Sequence, residues 1–343
     1  MVAMRSIARA SEPDGCCKHH PPAPSSEEEG ESSGADTSIS SPLKGRGQLS
    51  TIDRNDGEKT LKSSDLDLSG KVAFVTGGGG GIGRAIALCM ADMGADVAII
   101  DVAPERCEQV QAMIAERGRQ ALCIQGNVMD VAALQQAIAD THAKFGRLDI
   151  LVNNAGGVAR RDFLDLQEKN WRRHIDLNLV SVVAATSAAV PIMIAGGRGG
   201  SVINVTSIEG SRAAPGYAVY AACKAGVNNL TRTLALEFAD HGIRVNTIAP
   251  DYTTTPGLRG NLTGPVDEAA WYQPSAAQLE SIAKRTPLGR AGIDEECGQL
   301  AVFLASSMSS YITGATIPID GGTWASSGWI RDSKNQWILG PEA

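Results

Sequence analysis

The chain is poor in aromatic residues: Phe, Trp and Tyr together make up 4% of its 343 positions. It also lacks a basic excess. Lys and Arg number 31 against 38 acidic residues, a formal charge of −7, so the polybasic faces that hold nucleic acid or anionic membranes are not expected. No apolar run is read as reaching the ~20 residues that cross a bilayer. The first ten residues carry two Arg but no apolar block of the secretory kind, and the acidic run Glu27-Glu28-Glu29 speaks against a transit peptide. The seven cysteines are odd in number and irregularly spaced. That excludes a disulfide framework and leads us to expect a reducing, cytoplasmic setting. Cys16, Cys17, His19 and His20 are ligand-type residues, but no apolar framework surrounds them to fix a geometry, so no metal site is assigned. No internal repeat is present.

Residues 1–66 have almost no periodic apolar positions and are rich in Ser, Glu, Gly, Pro and Asp. Such a segment cannot bury enough surface to offset its ordering entropy, and it is read as a disordered extension. From residue 67 the pattern changes. Short β-branched runs near residues 71–76, 95–101, 121–125, 148–152, 201–205, 243–248 and 315–320 alternate with helical stretches. That alternation implies right-handed crossovers and an α/β fold: a single doubly wound domain with a seven-stranded parallel sheet over residues 67–325.

Thr76-Gly77-Gly78-Gly79-Gly80-Gly81-Ile82-Gly83 follows the first strand and opens a helix. Glycines there let the backbone turn tightly against a pyrophosphate, and the helix N-terminus offers free N–H groups and a positive dipole end. A flexible linker is the alternative, but linkers are not bracketed by a buried strand and an amphipathic helix. Asp101 ends the second strand, 18 residues after Gly83. A carboxylate there accepts from ribose hydroxyls and repels a 2′-phosphate, and Gly80 supplies no cation to hold one. NAD is therefore expected over NADP.

Tyr220 and Lys224 lie four apart on a predicted helix and share a face. A phenol titrates near pH ~10, so it is a poor base at neutrality. An ammonium about 5 Å away, at an effective dielectric of about 20, favours the phenolate by roughly 3 kcal/mol. The pair is thus a candidate for general acid/base work, although the spacing alone is common by accident.

Taken in order, these motifs resemble the short-chain dehydrogenase/reductase family, in its compact Rossmann type, over about residues 68–325. The resemblance extends to Asn153-Asn154-Ala155-Gly156 after the fourth strand, Asn178 in Ile-Asp-Leu-Asn-Leu, and Ser207, 13 residues before Tyr220. It implies a catalytic set of Asn178, Ser207, Tyr220 and Lys224. Tyr220 exchanges the proton, Ser207 orients the substrate oxygen, Lys224 assists the phenol and binds the nicotinamide ribose, and Asn178 holds a relay water. It implies cofactor contacts from Thr76, Gly77, Gly81, Ile82, Gly83, Asp101, Asn127, Val128, Asn154, Ala155, Gly156, Pro250 and Thr255, and no metal. Asn127 replaces a common Asp, and Asp251 replaces the Gly usual after Pro250, adding a charge near the nicotinamide end.

The irregular residues 253–287 are expected to form a substrate lid. Trp271 and Tyr272 in it, with Glu209 and Tyr217, are assigned to the substrate pocket, and the aromatics point to an apolar or cyclic secondary alcohol or ketone. Residues 326–343 form a Trp-containing extension. Trp324, Trp329 and Trp337 are expected at a subunit interface, and the resemblance implies a homotetramer. Two other readings stay open: a 3-oxoacyl-thioester reductase, whose usual NADP preference Asp101 opposes, and a catalytically inactive nucleotide sensor.

Overall fold

The structure is a computed structural model and describes residues 62–258 and 264–340. The expectation of disorder for residues 1–61, and the Cys16, Cys17, His19 and His20 cluster, lie outside the described residues. Described structure begins inside the assigned extension, where Ser63–Leu66 forms a single 3-10 turn.

Strands and helices then alternate as the sequence pattern predicts. The first half holds β1 (Val72–Thr76), α1 (Gly81–Asp92), β2 (Asp96–Asp101), α2 (Pro104–Glu116), β3 (Ala121–Gln125), α3 (Val131–Phe145) and β4 (Ile150–Asn153). There follow α4 (Glu168–Ile175), α5 (Ser181–Gly196), β5 (Gly200–Val205), α6 (Ala218–Glu237) and β6 (Ile243–Pro250). The last part holds β7 (Thr253–Thr254), α7 (Ala276–Arg285), β8 (Gly292–Ile293), α8 (Asp294–Ala305), β9 (Thr316–Ile319), β10 (Trp329–Arg331) and β11 (Trp337–Leu339). Seven strands form one sheet in the order β3-β2-β1-β4-β5-β6-β9, parallel throughout. The order reverses between β1 and β4, and in doubly wound sheets the ligand crevice opens at such a switch point.

Alternation along the inner strands feeds two cores. Ala73, Val75, Val97 and Ile99 pack with Ile86 and Met90 of α1 and Ala301 and Leu304 of α8. Val72, Phe74, Ala98 and Ile100 pack on the other face with Leu134 and Ile138 of α3 and Ala185 and Ala189 of α5. A sheet covered on both faces needs near-continuous apolar strands, and all five residues of β1 are buried.

A buried polar ladder crosses the second layer. Asn153 Nδ2 donates to Thr186 Oγ1 (3.1 Å) and Asn204 Oδ1 (2.8 Å), and Asn204 Nδ2 donates to Thr231 Oγ1 (2.9 Å). The Thr231 and Thr247 hydroxyls are 2.8 Å apart. These bonds tie β4, β5 and β6 to α5 and α6, and each pairs a buried group that would be costly to leave alone.

The one long helix expected near residues 171–194 is broken. A π-turn at Asp176–Val180 separates α4 from α5. The whole stretch Glu168–Gly196 is long and apolar enough, by length and composition, to cross a membrane. This corrects the reading that no run reaches that length. In the fold, Ala185, Ala189, Val190 and Met193 of this stretch are buried in the second core.

Candidate active site

The glycine turn is built by close approach. A Cβ on Gly83 would overlap the Gly77 carbonyl oxygen, so only glycine lets α1 begin so near β1. The α1 N-cap is Gly80, which contributes no side-chain cap, so the first amides of the helix remain available to an anion. Asp101 stands beside the turn: its Oδ2 accepts from Gly79 N (2.9 Å) and its Oδ1 from Ala103 N (3.0 Å).

Across the switch point, Thr76 locks the turn to the loop after β4. Its Oγ1 accepts from Asn154 N (3.0 Å) and Ala155 N (2.9 Å). Asn154 Nδ2 answers by donating to the Thr76 and Gly77 carbonyls at 3.0 and 3.1 Å. Two loops far apart in sequence thereby become one rigid floor.

The π-turn has a local consequence. It carries Asn178, fully buried, whose side chain pairs with Gly157 in both directions: Gly157 N donates to Oδ1 (3.1 Å), and Nδ2 donates to Gly157 O (3.1 Å) and His174 O (3.0 Å). An extra residue in a helical turn re-aims side chains, and such turns recur at functional sites. Here the amide fixes the backbone beside Gly156.

Ser207 ends β5. Its Oγ donates to Pro250 O (3.3 Å) and accepts from Glu209 N (3.2 Å). On α6, Lys224 is buried. Its Nζ donates to Val205 O (2.9 Å) and lies 5.6 Å from the centre of the Tyr220 ring. Burial pushes the Lys224 ammonium down to about 8. Burial likewise pushes the Tyr220 phenol up to about 12, with the Ser207 hydroxyl pulling the other way and the Glu209 carboxylate adding to the rise. Within the chain, then, Lys224 does not lower the phenol as the spacing argument expected. The ammonium is committed to a carbonyl and sits nearer the ring than its opposite partner requires.

One cavity of about 550 Å³ collects most of the expected site. Gly77, Gly81, Ile82, Asp101, Asn127, Val128, Asn154, Ala155 and Gly156 line it, with Ser207, Tyr220, Lys224, Pro250 and Thr255. Thr76, Gly83 and Asn178 support this wall from behind through the contacts above. Glu209, Tyr217, Trp271 and Tyr272 do not line it. Tyr272 is half exposed and donates its hydroxyl to Gln278 Oε1 (2.6 Å), whose side chain also caps α7. Asp251 does line the cavity. Arg212 holds Glu209 with two bonds of 2.9 and 3.0 Å and reaches Asp251 at 3.6 Å. Burial raises the Asp251 carboxyl against the pull of Thr323 and Arg212. Arg106 and Arg173 also line the cavity. Sequence reasoning missed both, since a lone Arg on a helix carries no spacing signal. Among the described residues no group of three His, Cys, Asp or Glu is placed to hold a metal.

Comparison with known proteins agrees with this arrangement. The family model described as enoyl-(acyl carrier protein) reductase matches residues 77–323. The chain belongs to the short-chain dehydrogenase/reductase family. It is 39% identical over 256 residues to the cis-4-hydroxycyclohexanecarboxylate dehydrogenase of Sinomonas cyclohexanicum, covering 74% of this chain and 96% of the relative. It is 38% identical over 257 residues to oxidoreductase UcpA of Escherichia coli K12, covering 75% and 95%. Among solved structures, carveol dehydrogenase of Mycobacterium avium in complex with NAD aligns with a TM-score of 0.68 and 31% identity, over 75% of this chain and 99% of that one. As a member of this family the chain is an oxidoreductase for CH–OH-type substrates that uses a nicotinamide cofactor. The residues present fit such a dinucleotide. The uncapped α1 amides suit its pyrophosphate, Asp101 its adenosine ribose, and the Tyr220 end its reactive ring.

Proposed function

We propose that the protein is an NAD-dependent dehydrogenase or reductase that interconverts a secondary alcohol and a ketone of apolar or cyclic type. The observation that carries this reading is one cavity joining Asp101 and the glycine turn at one end to Ser207, Tyr220 and Lys224 at the other. When bound, the dinucleotide takes up or delivers the hydride. Tyr220 holds the proton that the substrate oxygen gains or loses, and Ser207 beside it positions that oxygen. Lys224, buried and anchored on Val205 O, is placed to meet the nicotinamide ribose and to keep positive charge at this end of the cavity. Asn178 fixes the Gly157 backbone, and with it the wall the ring lies against. The phenol, pushed up by burial, needs more positive charge than Lys224 provides. The cationic ring of the oxidised cofactor supplies it.

Asp101 supports NAD over NADP. Its carboxylate faces the position of a 2′-phosphate, and the adjacent turn offers only glycine. The cyclic substrate class draws on the cyclohexane substrate in the name of the 39% identical relative. We further propose a cytoplasmic homotetramer. Five described cysteines are free, as suits a reducing compartment. Trp324, Trp329 and Trp337 are each about 40–50% exposed beside an apolar recess that includes Pro287 and Ala325, as suits burial by another copy.

The test is hydride transfer measured with NAD and with NADP across cyclic secondary alcohols, linear alcohols and acetoacetyl-coenzyme A. Turnover of cyclic alcohols with NAD supports the proposal. A preference for the acyl thioester with NADPH would favour the oxoacyl reductase reading, and no turnover with any would leave the nucleotide sensor.

A further inference from the structure

The segment that leaves β6 does not stay over the substrate end. At Thr255 and Pro256 it passes directly over the phosphate turn: a Cβ on Gly81 would lie 3.2 Å from Thr255 Cβ and 3.9 Å from Pro256 Cδ. It is next described at Gly264–Val266, and there it is fastened to the first turns of α2 on the far side of the groove. Arg106 Nε donates to Gly264 O at 2.8 Å. Gln109 grips the Val266 peptide from both sides, its Oε1 accepting from Val266 N (2.9 Å) and its Nε2 donating to Val266 O (3.4 Å). The partners are more than 150 positions apart in sequence, so the contact is a tertiary dock and not local turn chemistry.

The dock sits at the adenosine end of the cavity. Arg106 lines that cavity together with Asp101 and Val102, and its guanidinium rests against the turn, 2.8 Å from where a Gly80 Cβ would be. Arg106 thus touches the phosphate turn, the ribose corner and the docked segment at once. A dinucleotide lying in the groove would be crossed at its pyrophosphate by Thr255 and flanked at its adenosine by the clasp.

We propose that Arg106 and Gln109 are positioning residues that dock the segment after β6 across the adenosine half of the groove and so set how long the dinucleotide stays bound. The inference rests on the cofactor reading above. It assigns to this segment retention of the cofactor, beyond the substrate-lid role expected from its length.

The experiment follows NADH release from the full chain by stopped-flow displacement, with binding of reduced nicotinamide mononucleotide as the comparison. That mononucleotide has no adenosine half for the clasp to hold. Gln109→Ala removes both bonds to Val266, and release of NADH is expected to quicken roughly tenfold, the effect of two neutral hydrogen bonds. Gln109→Glu keeps the acceptor for Val266 N–H and recovers part of the loss. Binding of the mononucleotide stays at the wild-type level in both. Unchanged NADH release in Gln109→Ala would overturn the clasp. So would an equal weakening of NADH and the mononucleotide, which marks a general structural defect. A wild-type chain that binds neither NADH nor NADPH would instead refute the cofactor reading, an outcome distinct from either.

Discussion

Lys224 Nζ donates to the Val205 carbonyl at 2.9 Å while standing 5.6 Å from the centre of the Tyr220 ring. The two groups are usually thought of as a charge and the acid it activates. In this fold they are first of all two buried groups, each displaced from its ordinary proton affinity by loss of water. The ammonium is pushed down to about 8 and the phenol up to about 12. Neither shift suits a base at neutral pH, so the activating charge has to arrive with the oxidised cofactor.

The Lys224 shift has a stability consequence with a definite sign. A lysine depressed from 10.5 to about 8 on folding means that the unfolded chain binds more protons between those values. Stability therefore rises with pH across that window and is lost as pH falls through about 8. Urea unfolding at pH 7.5 and pH 9.5 is expected to show the wild type gaining about 2 kcal/mol relative to Lys224→Met. Parallel behaviour of the two proteins would show that the ammonium is better solvated than its burial implies.

Gly83→Ala is expected to abolish dinucleotide binding. The added methyl overlaps the Gly77 carbonyl oxygen, which is backbone and cannot swing aside. The overpacking costs about 1–3 kcal/mol and displaces the turn that receives the pyrophosphate. Isothermal titration with NADH, alongside a melting curve, separates the two effects.

Asn178→Ala leaves the Gly157 N–H and C=O without the partner that now satisfies both. Buried backbone groups left unpaired cost about 1–3 kcal/mol. The variant should melt several degrees lower and bind cofactor more weakly, because Gly157 and Gly156 line the same cavity. Circular dichroism melting and NADH fluorescence check the two parts.

Arg212→Met removes the only cation that both Glu209 and Asp251 are seen to pair with among the described residues. The Asp251 carboxyl, already raised by burial, rises further. A carboxyl raised on folding contributes stability that is present at low pH and lost as pH climbs through its folded value. The deficit of Arg212→Met against wild type should thus be larger at pH 8 than at pH 4, measured by chemical unfolding. Reverting the odd residue with Asp251→Gly in the same background should remove most of that pH dependence.

Much of this was legible in the sequence because it is written in short-range pattern. The β-branched runs located the seven strands, the glycine run announced the phosphate turn, and Asp101, Ser207, Tyr220 and Lys224 lie at spacings that the fold brings to one cavity. What stayed hidden depends on partners distant in sequence. Nothing near Asn178 announces a π-turn, and nothing near Gln109 points to Val266. Trp271 and Tyr272 were assigned to the pocket from composition, yet Tyr272 turns to Gln278 at the start of α7. The proton affinities were misjudged for a physical reason. The spacing argument counted the Coulomb attraction between Tyr220 and Lys224 and omitted the loss of water that both suffer on burial.

The most direct test compares wild type with Tyr220→Phe in single-turnover reduction of NAD by a cyclic secondary alcohol. The variant should keep its fold and its affinity for NADH. It should lose about 10²- to 10⁴-fold in the hydride-transfer rate, the span expected for removal of a proton-transferring group. Equal rates in the two proteins would contradict the account.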